Sequence, residues 1–244
     1  MRSTPRVATL AAAPLFALSV AVEPAAADDG EDATVSVLHG VPGLTVDVYA
    51  NGSELISDFT PGTLTDPRQL PAGTYDLHVY PAGSDPAAAQ PAISADGVEV
   101  PAGADITVVA HLDANGTPVL TPFVNEPAAL EPGQAELTVR HVAAAPAVDV
   151  RAGGHPVLTG LTNPNGAGTP VPAGTVSADV VLAGTDQVVI GPADLTLAEG
   201  TQTIVYAWGS AADANLALTP QVLAGGAGHP TGASSGGGGC AAAA

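Results

Sequence analysis

Two stretches of this chain repeat each other at a fixed distance. Val35, Val37, His39, Val46, Asp47, Val48 and Tyr49 in the first correspond to Leu137, Val139, His141, Val148, Asp149, Val150 and Arg151 in the second, all shifted by 102 residues. Further matches follow in order. Leu70-Pro-Ala-Gly-Thr74 returns as Val171-Pro-Ala-Gly-Thr175, Ala82-Gly-Ser84 as Ala183-Gly-Thr185, and Thr121-Pro122 as Thr219-Pro220. Ordered matches at nearly one spacing are the mark of a duplication, with small drifts absorbed in loops. Each copy spans about 100 residues, enough to hold its own core. The expected organisation is residues 33–125 for the first repeat and 134–224 for the second, joined by a proline-containing linker, with residues 225–244 as a flexible Gly/Ala-rich tail.

Within the first repeat the apolar residues alternate, and turn signals recur roughly every ten residues. Val35 and Val37 share one face with His39, and Val46 and Val48 share another. Asn51-Gly52 predicts a type I′ hairpin turn, and Asp113 to Gly116 a second hairpin. Ile106 to Leu112 is the most continuously apolar strand and is expected at the centre of a sheet. Asp85 to Gln90 reads as a helical turn or a loop. Seven or eight short strands per repeat predict an all-β fold, two tandem β-sandwiches following a signal peptide.

The leader is read from residues 1–27. Arg2 and Arg6 precede an apolar run from Val7 to Val22, and Ala25-Ala26-Ala27 suits cleavage after Ala27. The run is short, contains Pro14 and stops at Glu23, which argues against a membrane anchor. A secreted or cell-surface protein is expected, and the alanine ending suits either a released chain or one cut short before an anchor.

The formal net charge is −19 and lysine is absent. Such a surface repels phosphate backbones, so nucleic acid is excluded as a partner. Cys240 is the only cysteine, so no internal disulfide forms. A Lys–Asn isopeptide staple needs a lysine. No Gly-x-Ser-x-Gly elbow, phosphate-binding glycine loop or zinc spacing is present, and no cofactor or metal is expected.

Val-x-Val-x-His, then Val-Asp-Val-Tyr, then Leu-Pro-Ala-Gly-Thr-Tyr resembles a secreted bacterial family of domains of unknown function, numbered 4397. The resemblance covers about Ala33 to Leu223. It implies extracytoplasmic immunoglobulin-like β domains, often in tandem, and brings no established activity. The second repeat departs from the pattern, with Arg151 in place of Tyr49 and Val176 in place of Tyr75.

The candidate binding residues are His39, Asp47, His141 and Asp149. A His–Asp pair could orient an imidazole for base catalysis or for a metal. Alternatively, each His lies at the rim of a core bonded to loop backbone, and each Asp binds turn N–H groups. Strand parity favours the second arrangement, because His39 and Asp47 fall on opposite faces. His111 aligns with Trp208 and is expected to pack at a sheet end. The expected function is a non-enzymatic structural or binding module whose partner is a protein or glycan at the cell surface. A cell-wall glycan-binding module and, behind it, a hydrolase using His39 are the alternatives. The glycan reading needs an exposed aromatic platform.

Overall fold

A computed structural model describes residues 31–226. The leader, its cleavage site, Cys240 and residues 227–244 of the tail lie outside the described residues. The described chain is all-β. Its first half contains β1 (Ala33–His39), β2 (Val46–Ala50), β3 (Ser53–Phe59), β4 (Arg68–Leu70), β5 (Gly73–Pro81), β6 (Ile93–Val100), β7 (Asp105–Leu112) and β8 (Pro118–Val124). The second half contains β9 (Gln134–Ala144), β10 (Val148–Ala152), β11 (His155–Leu161), β12 (Gly166–Pro172), β13 (Gly174–Leu182), β14 (Val188–Leu197), β15 (Thr201–Ser210) and β16 (Ala217–Ala224). Among the described residues no helix is long and apolar enough to cross a membrane.

Each half is a sandwich of two four-stranded sheets. The first pairs β4-β1-β7-β8 with β3-β2-β5-β6, and the second pairs β12-β9-β15-β16 with β11-β10-β13-β14. Equivalent strands occupy equivalent places. In one sheet of each half the two central strands run parallel, β1 with β7 and β9 with β15. These sheets are called inner below, because they face each other across the molecule.

The inner strands are buried on both faces, and their sequences show it. In β7, Ile106 and Val108 point into the first core, while Thr107 and Val109 point at the second half. In β15, Val205 points into the second core, while Ile204 and Tyr206 point at the first half. Leu38, Val109, Val142, Ile204 and Tyr206 form one buried cluster drawn from both halves. Strands covered on both sides lose the polar half of the alternation, which is why β7 reads as a continuous apolar run. The outer strands keep it, as in β2, where Val46 and Val48 enter the core and Tyr49 faces out.

Local signals explain the connections. Asn51 and Gly52 have φ of 49° and 76°, as a type I′ turn requires, and Ala50 pairs with Ser53 across it. Asp113 Oδ1 accepts N–H bonds from Asn115 and Thr117, both at 2.8 Å, closing the β7–β8 hairpin. Asp85 to Ala89 makes one helical turn, with the Ala89 N–H donating to the Asp85 carbonyl. The Thr-Pro dipeptide matched between the repeats lies on β8 and β16, the edge strands of the inner sheets, where a missing N–H is tolerated.

Two strands carry little signature in the sequence. β4 is three residues between Pro67 and Pro71. β6 begins at Ile93. Asp96 and Gly97 sit opposite the single residue Asp76, and the Gly97 N–H donates to Asp76 Oδ1 at 2.9 Å. That β-bulge breaks the alternation and makes the strand look like a turn.

Candidate functional site

His39 ends β1 and points into the first core beside Phe59, with ring centroids 5.5 Å apart. It is 1% exposed. Nε2 lies 2.7 Å from the Leu44 carbonyl, and Nδ1 lies 3.4 Å from the Val41 amide. A carbonyl can only accept, so Nε2 carries the proton and Nδ1 accepts from Val41. His141 repeats the arrangement, with Nε2 at 2.9 Å from the Pro146 carbonyl and Nδ1 at 3.4 Å from the Ala143 amide. Burial pushes both histidines below their ordinary proton affinity, against the opposing pull of the carbonyl bond. Both are neutral pins for the loop that leaves the strand.

Asp47 and Asp149 face away from their cores. Asp47 Oδ1 accepts from the Asp58 amide at 2.8 Å and Oδ2 from the Gly83 amide at 2.9 Å. Asp149 accepts from Gly160 at 2.7 Å and from Gly184 at 2.9 Å. Asp58 and Gly160 both have positive φ, 51° and 67°, at irregularities of β3 and β11. Each carboxylate thus ties a bulge on one neighbouring strand to the turn after the other. The two N–H bonds hold Asp149 below the usual carboxylate range, that from Gly184 contributing most. The duplicated His and Asp lie in different sheets, each satisfied by its own backbone partners.

His111 is fully buried on the face of β7 that meets the second half. Nδ1 lies 2.9 Å from the Leu112 carbonyl and Nε2 2.8 Å from Thr121 Oγ1. Trp208, its equivalent, donates from Nε1 to Thr219 Oγ1 at 2.9 Å. The two aligned residues therefore bond to matching threonines of the Thr-Pro dipeptides. Among the described residues no three His, Cys, Asp or Glu side chains are grouped for a metal ion.

The contact between the halves holds a polar network that the sequence does not announce. Arg140 Nη1 donates to the Tyr206 hydroxyl at 2.7 Å, and that hydroxyl donates to Gln221 Oε1 at 2.7 Å. Thr107 Oγ1 of the first half donates to the same Gln221 oxygen at 3.0 Å. Arg140 Nη2 reaches the Val124 carbonyl at 3.2 Å. Arg140 stands where the first repeat has Leu38. An arginine at an apolar position of one copy only was the available signal. Trp208 packs against Gly40 and Gly62 of the first half, and Thr219 Oγ1 donates to the Gly62 carbonyl at 3.2 Å. Both repeats present the same face to this contact, as the two copies of an isologous dimer do.

The outward face of the first outer sheet groups Tyr49, Tyr80 and His78. Tyr49 and Tyr80 meet edge to face at 5.5 Å, and the His78 ring lies 6.4 Å from Tyr80. The Tyr49 hydroxyl donates to Glu54 Oε2 at 3.0 Å, and His78 Nε2 is 3.6 Å from Asp96 Oδ1. Phe59, Tyr80 and Tyr206 are buried, and Tyr49, Tyr75, Phe123 and Trp208 are half-buried.

Residues 33–151 match the model of a family described as a domain of unknown function, DUF4397. The matched span takes in all eight strands of the first half, the linker, β9 and most of β10. No curated protein matches the chain. With its duplicated His and Asp pins in matching places, the chain is similar to the DUF4397 family over residues 33–151.

Proposed function

We propose that this is a secreted or cell-surface protein that acts without catalysis, as a two-repeat binding or structural module. The supporting observation is the state of His39. It is the first base one would choose in the family motif, and both its ring nitrogens are bonded to loop backbone inside a core. A general base must reach substrate with a free lone pair. The joined inner sheets add a second support, since they fix the two repeats as one body and leave the outer sheets as the faces available to partners.

A thermal melt tests this reading, run with and without millimolar calcium, a panel of wall glycans and candidate surface proteins. A ligand that binds only the folded state at a hundredfold excess over its Kd adds about 2.7 kcal/mol of stability. A raised midpoint with a protein partner supports the module. A raised midpoint with a glycan would move the reading to a glycan-binding module and direct attention to Tyr49 and Tyr80. Turnover of ester or amide substrates that disappears in His39→Gln would overturn it in favour of a hydrolase.

A further inference from the structure

The first sandwich is open on one side where the second is closed. In the second half β12 has seven residues and packs along β11, so the edges of the two sheets meet. In the first half the matching strand β4 has three residues and makes little contact with β3. The opening between them is a groove of about 190 Å³. Val35 and Val37 of β1, Leu55 and Ile56 of β3 and Leu70 of β4 supply its apolar lining. Leu55, Ile56 and Leu70 are only half-buried there. The groove adjoins the core, because Val35, Val37, Leu55 and Leu70 also line an apolar void of about 50 Å³ inside it. Arg68 stands at the mouth. It is exposed, and its Nη1 reaches across to the Leu55 carbonyl at 3.5 Å, a long and weak bond. Arg140 is buried between the halves, and Arg151 is paired with Asp179 and Asp186. Among the described residues Arg68 is therefore the one exposed arginine with no carboxylate partner, on a chain of net charge −19.

We propose that this groove binds a single-chain fatty acid, with its carboxylate on Arg68 and its alkyl chain laid between β3 and β4 toward the core void. A planar guanidinium takes a carboxylate through two parallel N–H bonds, which a single carbonyl cannot match. The valine, leucine and isoleucine side chains offer the tail apolar surface, and removing that surface from water drives binding. The rest of the acidic surface repels an anion, so the charge complementarity is local and confines the headgroup to Arg68. The second repeat has no equivalent site, because β12 covers β11 where the groove would lie. The inference rests on the binding-module reading above and names a ligand class for it.

The test is a methyl NMR titration of the full chain with decanoate, kept below its micelle concentration. It is run at about 0.15 M ionic strength, where a Debye length of about 8 Å screens the distant carboxylates. Saturable shifts should concentrate on Val35, Val37, Leu55, Ile56 and Leu70. Octanoate should bind at least about tenfold more weakly, because each of the two methylenes it lacks is worth about fourfold in affinity when buried. Arg68→Gln, an exposed substitution, should weaken decanoate about tenfold and leave the binding of decan-1-ol unchanged. Arg151→Gln, on the other repeat, should leave decanoate binding unchanged. No saturable binding, shifts centred elsewhere, equal binding of octanoate and decanoate, or undiminished decanoate binding by Arg68→Gln would overturn the proposal. A protein or glycan that raises the melting midpoint of a chain that takes up no decanoate would overturn this site alone and leave the module reading standing.

Discussion

The guanidinium of Arg140, carried by the second repeat, lies over the ring of Phe123 in the first, with Cζ 4.6 Å from the ring centroid. The contact joins the two halves at a place where neither core reaches. Arg140 is 5% exposed, and burial lowers its proton affinity, with the Tyr206 hydroxyl pulling the other way. Its bonds go to a hydroxyl and a carbonyl, not to a carboxylate.

Arg140→Ala should therefore be costly for reasons other than charge pairing. It removes two charge-assisted hydrogen bonds and a desolvated cation–π contact, and it leaves a gap under the arginine stem. Against these stands relief from burying the charge. The net loss should be about 2–4 kcal/mol, measured as a shift in the urea midpoint. Arg140→Leu, which restores the residue of the first repeat, should cost less than the alanine variant. Equal stability of the wild type and Arg140→Ala would show that the network does not couple the halves.

Trp208 and Gly62 supply a sharper test of that coupling. Gly62 has φ of 82°, and a Cβ there would come within 2.9 Å of Trp208 Cζ2. Gly62→Ala thus meets backbone strain and a rigid indole together, and should destabilise by about 2–4 kcal/mol. In the Trp208→Ala background only the strain remains, so the same substitution should cost about 1–2 kcal/mol. A double-mutant cycle by chemical denaturation measures the difference. Additive costs would mean that the indole moves aside freely.

The duplication was legible because the residues that carry it do local work. His39 and Asp47 pin loops of their own repeat, so both copies need them and both keep the spacing. Strand parity also predicted that the His and Asp would not meet. The contact between repeats was hidden for the opposite reason. It is built from residues that differ between copies, Arg140 against Leu38 and Trp208 against His111, so no repeat pattern marks them. Its traces were Arg140 at an apolar position of one copy and the apolar run in β7, which the sequence places in the centre of a sheet without saying what lies on its second face. The aromatic face of the first outer sheet was hidden because Tyr49 joins His78 and Tyr80 only through the pairing of β2 with β5.

Acid should loosen the protein. His39, His111 and His141 all have their proton affinity lowered by burial. Such a histidine binds more protons unfolded than folded once the pH falls below the unfolded value of about 6.5. Stability from these groups is complete above about pH 6.5 and is lost as the pH drops below it, by at most about 1.4 kcal/mol per pH unit for each histidine. Urea midpoints taken at about pH 7.5 and pH 5.5 should fall on acidification. The double variant His39→Gln/His141→Gln should flatten the slope. A midpoint that does not change between these two values would mean that the imidazoles reach water in the folded state. Asp149 acts in the same direction but lower, since its depressed proton affinity adds stability that is lost only as the pH falls below the ordinary carboxylate range.

Asp47 and Asp149 make the same two bonds in different surroundings, and that difference fixes the order of their effects. Asp47 is 6% exposed, whereas Asp149 is half-buried. Asp47→Ala leaves the amides of Asp58 and Gly83 without their acceptor in a place where water replaces it poorly, at a cost of about 2–4 kcal/mol. Asp149→Ala exposes the equivalent amides of Gly160 and Gly184 to solvent, so it should cost less. Asp47→Asn keeps one acceptor oxygen and should fall between wild type and Asp47→Ala. Hydrogen exchange adds a local readout. The Asp58 and Gly83 amides should lose protection in Asp47→Ala, and the distant Gly160 and Gly184 amides should keep theirs. If Asp149→Ala proved the more damaging of the two, burial would not be what sets the strength of these pins.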